Sequence, residues 1–231
     1  MNFRLRRLLA ALTFALPVTQ SAFAEQPHNV ILFVADGMRA MMVTPDTAPT
    51  MAALSRSGVW FKNSHSLFPT FTMPNSSALA TGHYLGDTGV FGNTINTGFP
   101  VPHAANTVTP FLESDEVLGD VDEHFAGNFL NEEALLTAAR KAGFATAAVG
   151  KLGPTGIQAG LPRAGDETMV VDDLTGRPGG IPLNNELASG LQDARLPTQA
   201  PTRGENGKAG DAKTPGTLVA NADQQQYFVN V

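Results

Sequence analysis

The chain has 231 residues, of which 42% are apolar and 16% are charged, and its formal net charge is −6. That length suits one medium domain, and the apolar fraction is sufficient for a packed core, which argues against a disordered acidic chain. The absence of cysteine excludes a disulfide framework and a metal site built from thiolates. The acidic balance disfavours general nucleic-acid binding, so we expect no nucleic-acid partner.

The N-terminus has the pattern of a secretory signal peptide. Three arginines within residues 4–7 precede an apolar run over residues 8–18, and Ala22-Phe-Ala24 places small residues around a cleavage point. The run is too short to span a membrane. We therefore predict that residues 1–24 are removed and that the protein is periplasmic or secreted, without a stable membrane anchor. The alternative is an anchor that stays uncleaved.

The next elements predict the alternation of an α/β protein. Val30–Ala35 is a continuous apolar run that ends in Asp36 and a glycine, which is typical of a fully buried parallel strand. Pro49–Ser57 predicts a short helix that stops at Gly58, and Val59-Trp60-Phe61 predicts a second strand. Because ligands collect at the carboxyl ends of parallel strands, Asp36 is a candidate site residue.

The alternation resumes further along the chain. A helix is predicted from Asn131, as its N-cap, to a stop at Gly143, and a strand follows over Ala145–Val149. Residues 152–216 are rich in glycine and proline, which predicts an irregular insertion or cap, or simply a long loop. We assign residues 25–231 to one α/β catalytic domain.

The most informative segment surrounds Thr72. Its hydroxyl lies two residues before Pro74, and a short apolar helix pattern follows. Proline favours the first helical positions, so Thr72 is predicted at or just before a helix N-terminus. Unpaired backbone N–H groups and the positive end of the helix dipole suit a phosphate or sulfate there. The alternative is an ordinary threonine N-cap, and Thr70 is a competing hydroxyl.

In order and spacing, four motifs resemble the type I phosphodiesterase/nucleotide pyrophosphatase family of the alkaline phosphatase superfamily. They are Ala35-Asp36-Gly37-Met38-Arg39, Pro69-Thr-x-Thr72-x-Pro74-Asn75, Thr81-Gly82 and Gly89-Val-x-x-Asn93. The resemblance covers roughly residues 28–95, with a looser match to about residue 155. It implies an alkaline phosphatase-like central sheet flanked by helices, which we expect to be incomplete in this chain.

The resemblance also implies the site residues and the chemistry. Thr72 would be the nucleophile and a metal ligand, Asp36 a second ligand, and two zinc ions would be the cofactor. Asn93 would donate its amide to a phosphoryl oxygen, although a turn asparagine is the local alternative. Lys151 is a candidate independently of the resemblance: at a predicted strand end it would meet a substrate oxyanion, and the alternative is a surface lysine. The substrate would be a small phosphate ester, attacked through a covalent phosphoenzyme.

The histidines depart from the family pattern. The family supplies most of its other zinc ligands later in the chain, whereas no histidine follows His124 here. The stretch Asp120–His124 has the Asp-x-x-x-His spacing but comes too early, so we predict a solvated acidic stretch. The chain therefore looks like the N-terminal part of such an enzyme. Alternatives are a phosphomonoesterase, phosphonate hydrolase or sulfatase of this superfamily, and a non-catalytic truncated fragment.

Overall fold

The computed structural model describes residues 29–161, 168–201 and 222–231. The predicted signal peptide lies outside these residues. The chain divides into two compact units, Met1–Leu54 and Ser55–Val231, and each is described by itself. In the described residues the helices and strands, in chain order, are α1 (Pro49–Ser57), α2 (Thr72–Thr81), α3 (Leu85–Thr88), α4 (Asp115–His124), α5 (Leu135–Lys141), β1 (Ala147–Val149), α6 (Leu152–Gln158), β2 (Met169–Val171), α7 (Asn185–Asp193) and α8 (Ala222–Asn230).

The two strands form a small parallel sheet, with Ala147 opposite Met169 and Val149 opposite Val171. Parallel strands need a crossover connection, and α6 lies between them in the chain. This arrangement confirms the predicted α/β class and is consistent with part of an alkaline phosphatase-like fold. The carboxyl ends of β1 and β2 lie at one edge of the sheet, so Lys151 and Asp172 follow at that edge.

The main core of the second unit gathers apolar side chains from α2, α4 and α6 and from the loops between them. Met73, Leu112, Val121 and Ile157 are fully buried in it. Each buried side chain of this size stabilises the fold by about 1.5–3 kcal/mol relative to an exposed one. The core therefore fixes the start of α2 against α4 and α6.

Two predicted strands are wrong. Residues 29–35 and 59–61 form no strand in the structure. The side chains of Val30, Ile31 and Phe33 are at least three-quarters exposed. A strand is completed by hydrogen bonds to a neighbouring strand, and neither segment pairs with another among the described residues. An apolar run by itself therefore does not establish a strand.

The helix predictions fare better. Helix α1 has the predicted bounds Pro49–Ser57, and Gly82 ends α2 in the left-handed conformation, with φ of 74°. Helix α5 begins later than expected, because its N-cap is Ala134 and Asn131 instead adopts a turn with φ of 57°. The asparagine N-cap is thus a wrong prediction.

The glycine-rich stretch 152–216 is more regular than predicted in its described parts, since it contains α6, β2 and α7. Whether it serves as an insertion or a cap stays a prediction. Among the described residues, no helix has the length and apolar content needed to span a membrane.

Candidate active site

The candidate site lies at the start of α2, in the second unit. Thr72 is the first residue of the helix and is half-buried, while Phe71 before it is extended, with φ of −89° and ψ of 157°. The first backbone N–H groups of a helix have no partner within the helix. One of them, the N–H of Met73, donates to Oδ1 of Asn93 at 2.9 Å. The threonine thus lies at the N-terminus, as predicted, and Asn93 lies beside it.

Asn75 holds the loop that leads into Thr72. Its Oδ1 accepts a hydrogen bond from the N–H of Leu67 at 2.8 Å, and its Nδ2 donates to the carbonyl of Phe71 at 2.9 Å. The same amide nitrogen lies 3.3 Å from the carbonyls of Leu67 and Pro69. An asparagine in the first turn of a helix is the sequence signal for this role, although Asn75 was not among the predicted site residues. The contacts fix the approach to Thr72.

Asn93 and Lys151, the two predicted substrate-binding residues, meet through a residue that the sequence did not single out. Nδ2 of Asn93 donates to Oε1 of Glu113 at 2.9 Å. The other carboxylate oxygen of Glu113 lies 2.5 Å from Nζ of Lys151. A continuous chain of polar contacts therefore runs from the N–H of Met73 through Asn93 and Glu113 to Lys151.

The backbone explains why these residues come together. Thr94 and Phe111 form an antiparallel bridge, and the N–H of Leu112 donates to the carbonyl of Asn93 at 2.8 Å. The N–H of Gly153 in turn donates to the carbonyl of Glu113 at 3.1 Å. A Cβ at Gly153 would lie 2.8 Å from the carbonyl oxygen of Leu112, so only glycine allows this approach.

Asp36, the remaining predicted site residue, belongs to the first unit. It lies in an exposed turn in which the N–H of Met38 donates to the carbonyl of Ala35 at 3.3 Å. Gly37 takes a positive φ of 70°, which glycine adopts readily. The pairing of Asp36 with Thr72 at a metal stays a prediction, because the two residues belong to different compact units of the chain.

The predicted zinc centre finds only partial support in the ligands on offer. Within residues 29–161, 168–201 and 222–231, no group of three or more histidine, cysteine, aspartate or glutamate side chains could hold a metal ion. Asp36 and Thr72 supply at most two ligands, whereas a catalytic zinc ion takes three from the protein. The described donor set therefore does not fit a complete zinc site.

The Asp120–His124 stretch is solvated only in part, since Glu123 and His124 are exposed and Asp122 is buried. It forms the end of α4, where Asp122 is only 4% exposed and Oδ1 of Asp122 accepts from the N–H of Phe129 at 3.1 Å. The ring of His124 stacks on Phe99 with centroids 3.5 Å apart. Asp120 bonds instead to Nδ1 of His103, and this carboxylate raises the pKa of the imidazole. Amphipathic helix packing explains the burial.

A second polar cluster, which was not predicted from the sequence, lies where β2 ends. Asp172 is fully buried and Asp115, at the start of α4, is 9% exposed. Burial, and then the charge of Asp172, raises the pKa of Asp115 to about 8, and burial also raises the pKa of Asp172. A proton on Asp115 would let this carboxyl donate to Asp172, because ionised carboxylates only accept. The signal was the pair of aspartates directly after a buried strand.

Comparison with known families now decides the relationship. The model of the type I phosphodiesterase/nucleotide pyrophosphatase family matches residues 30–185. The chain belongs to this family. The match extends past residue 155, where the motif resemblance ended, and it includes Thr72, Asn93, Glu113 and Lys151. No curated protein and no solved structure matches the chain.

Family membership bears on the chemistry at a coarse level. The family suggests hydrolysis of phosphodiester or pyrophosphate bonds, and it acts on small phosphate-ester substrates. Its members are typically metal-dependent. The family therefore indicates hydrolysis of phosphoric esters as the class of reaction.

Proposed function

We propose that the chain is a zinc-dependent hydrolase of phosphate esters in which Thr72 is the nucleophile. The observation that carries the proposal is the position of Thr72 as first residue of α2, beside an N–H group held by Asn93. A helix N-terminus favours an anion through its N–H groups and its dipole. A phosphate ester at this point would place phosphorus near the threonine hydroxyl.

The proposed reaction has two displacements at phosphorus. In the first, Oγ of Thr72 forms a bond to phosphorus as the bond to the leaving oxygen breaks. The threonine proton passes to a solvent base, and the leaving oxygen takes up a proton from water. In the second, water forms a new bond to phosphorus, the bond to Thr72 breaks, and the hydroxyl regains its proton. A covalent intermediate of this kind divides one difficult step into two easier ones.

Asn93 and Lys151 would stabilise charge on the phosphoryl oxygens. One N–H of the Asn93 amide goes to Glu113, and we propose that the other donates to a non-bridging oxygen. A preorganised donor of this type contributes about 3 kcal/mol to a transition state. Lys151 would add positive charge at the same point, offset in the free protein by Glu113.

Zinc enters the proposal from the family resemblance, which implies two ions. Asp36 and Thr72 are the residues of this chain proposed as ligands. Because the ligand set among the described residues is incomplete, we assign no step of the two displacements to a metal ion. Binding of zinc by the chain is a separate measurement from turnover.

The experiment compares two threonines two residues apart. Thr72→Ala should reduce hydrolysis of an aryl phosphodiester, measured with added zinc, by several orders of magnitude, because the nucleophile is gone. Thr70→Ala is the matched control and should keep the wild-type rate, since Thr70 is exposed and precedes the helix. Circular dichroism should be unchanged in both variants. Equal rates in the two variants would refute the assignment.

A second candidate function is anion binding without turnover. The incomplete set of metal ligands among the described residues favours it. It predicts that the chain binds inorganic phosphate, that Thr72→Ala weakens this binding, and that no aryl phosphodiester is hydrolysed. Hydrolysis of an aryl phosphomonoester or aryl sulfate in preference to the diester would instead favour the related esterases of the superfamily.

We also propose that the protein is exported to the periplasm or secreted. The basic, apolar and small-residue segments of residues 1–24 support this. Protein recovered from the producing cell should begin near Glu25 on N-terminal sequencing. A mature protein that begins at Met1 would contradict the proposal.

A further inference from the structure

We propose that Glu113 is a positioning residue of the candidate site, which orients the amide of Asn93 and holds Lys151 beside it. The inference rests on the proposed function and deepens it. Nothing in the family motifs includes Glu113, and its position follows from three contacts in the structure. Glu113 is not placed in contact with substrate. Its role is to act through Asn93 and Lys151.

The contacts of Asn93 fix the orientation of its side chain. Its Oδ1 accepts from the N–H of Met73 at 2.9 Å, and its Nδ2 donates to Oε1 of Glu113 at 2.9 Å. Two hydrogen bonds on the two ends of one amide fix the rotation of that amide. Without an acceptor at Glu113, the amide would keep one bond and could turn about it. The second N–H would then lose its fixed direction, which a donor to a transition state needs.

The negative charge of Glu113 is offset by Lys151. A lone carboxylate beside an anion site would repel phosphate. The ammonium of Lys151 lies 2.5 Å from Oε2 of Glu113, and their side chains are 35% and 8% exposed. A carboxylate that is this buried is stable when it is paired and hydrogen-bonded, and Glu113 has both kinds of partner. The pair is neutral as a whole, so Glu113 orients its neighbours at little electrostatic penalty to a bound anion.

The backbone that carries the Glu113 side chain is held in place. The backbone of Glu113 is attached on both sides, because Leu112 bonds to the carbonyl of Asn93 and Gly153 bonds to the carbonyl of Glu113. Gly153 approaches so closely that a Cβ there would lie 2.9 Å from Cα of Glu113. The carboxylate therefore projects from a backbone that α6 and the Asn93 segment hold in place. A positioning residue needs such support to fix its neighbours.

Two substitutions separate positioning from charge. Glu113→Gln and Glu113→Met both remove the negative charge and keep a side chain of similar length. Only glutamine retains an oxygen that can accept from Asn93. The side-chain amide resonances of Asn93, assigned through its own Cβ protons, report its orientation, and titration with inorganic phosphate reports anion binding. Both measurements use the full 231-residue chain.

We expect the Asn93 amide resonances to stay near their wild-type positions in Glu113→Gln and to move to those of a solvent-exposed asparagine in Glu113→Met. Phosphate should bind the glutamine variant about tenfold more tightly than the methionine variant, the difference made by one charge-assisted hydrogen bond. The glutamine variant should also bind phosphate about threefold more tightly than wild type, because a nearby negative charge is gone.

Glu133→Ala is the control, since it removes a glutamate from an exposed pair with Lys141, and it should leave both readouts unchanged. Equal amide positions and equal phosphate affinity in the glutamine and methionine variants would overturn the inference. So would loss of the Asn93 position in the glutamine variant, which also decides the matter if the methionine variant does not fold. If the amide responds as expected but no variant binds phosphate, the proposed anion site fails while the positioning role stands.

Discussion

Glu113 and Asp115 are two buried carboxylates, two residues apart, with opposite surroundings. Glu113 is 6% exposed and its oxygens contact the amide of Asn93 and the ammonium of Lys151. Asp115 is 9% exposed, and neither of its oxygens has a hydrogen-bond donor in the part of the chain that the structure describes. Glu113 is thus paired with a cation, whereas the raised pKa of Asp115 favours a bound proton.

The difference teaches that the two strand ends give each buried acid a different partner. Lys151 follows β1 and reaches Glu113, whereas Asp172 follows β2 and reaches Asp115. Burial beside a second acid favours the neutral form of an acid, which is the situation of Asp115. Asp173 adds further negative charge near Asp115 and also accepts from the N–H of Leu152 at 3.2 Å. Neighbouring strand ends therefore create unlike environments at one helix start.

The largest expected effect is a pH dependence of stability, which tests whether Asp115 holds a proton. The pKa of Asp115 is raised from 3.8 to about 8, so between these pH values the folded protein holds a proton that the unfolded chain has lost. The stability from this proton is fully present below about pH 4 and is lost as the pH rises towards 8. One such proton changes the free energy of unfolding by at most about 1.4 kcal/mol per pH unit. Asp115→Asn should remove this slope.

The measurement is urea unfolding of wild type and Asp115→Asn at pH 5, 7 and 8.5. The difference between the two proteins should move in favour of the asparagine variant as the pH rises, because an amide can donate to Asp172 at every pH. Asp193→Asn, at the exposed end of α7, is the control and should show no such trend. A pH-independent difference between wild type and Asp115→Asn would mean that the pair does not share a proton.

The sequence predicted the features that depend on local pattern. Helix α1 and the position of Thr72 at a helix start are confirmed, and the strand predicted at Ala145–Val149 forms over Ala147–Val149. The strand expected at Val30–Ala35 failed because pairing depends on residues distant in the chain. The same limit applies to the buried acids near the start of α4. From the sequence alone, an acid at a helix start indicates only a favourable contact with the helix dipole.

Glu113 shows that limit most clearly. Asn93 lies 20 residues before it, and Lys151 follows a strand that is formed only in the folded chain. No local spacing connects these three side chains, so Asn93 and Lys151 were predicted separately from the family motif and from a strand end. The fold supplied the residue that joins them. Motif reading therefore found the outer members of the cluster and missed its centre.

A smaller expected effect is the loss of stability when the cation of Lys151 is removed from its pair with Glu113. Lys151→Met removes the charge that pairs with Glu113 and leaves a carboxylate that is buried and held by one amide. Breaking a fully buried pair costs about 3–5 kcal/mol, and because Lys151 remains about one-third exposed we expect a loss of about 2 kcal/mol in the free energy of unfolding. Urea unfolding at pH 7 measures it.

Lys141→Met is the matched control for this change. Lys141 pairs with Glu133 at the surface, where the two side chains are 67% and 46% exposed. Exposed pairs of this kind contribute about 0–1 kcal/mol, so the control should lose little stability. If Lys151→Met lost no more than Lys141→Met, water or another group would be stabilising the Glu113 carboxylate. The contrast between Glu113, paired with a cation, and Asp115, paired with a proton, would then be wrong for Glu113. This conclusion would hold whatever the pH dependence of Asp115→Asn.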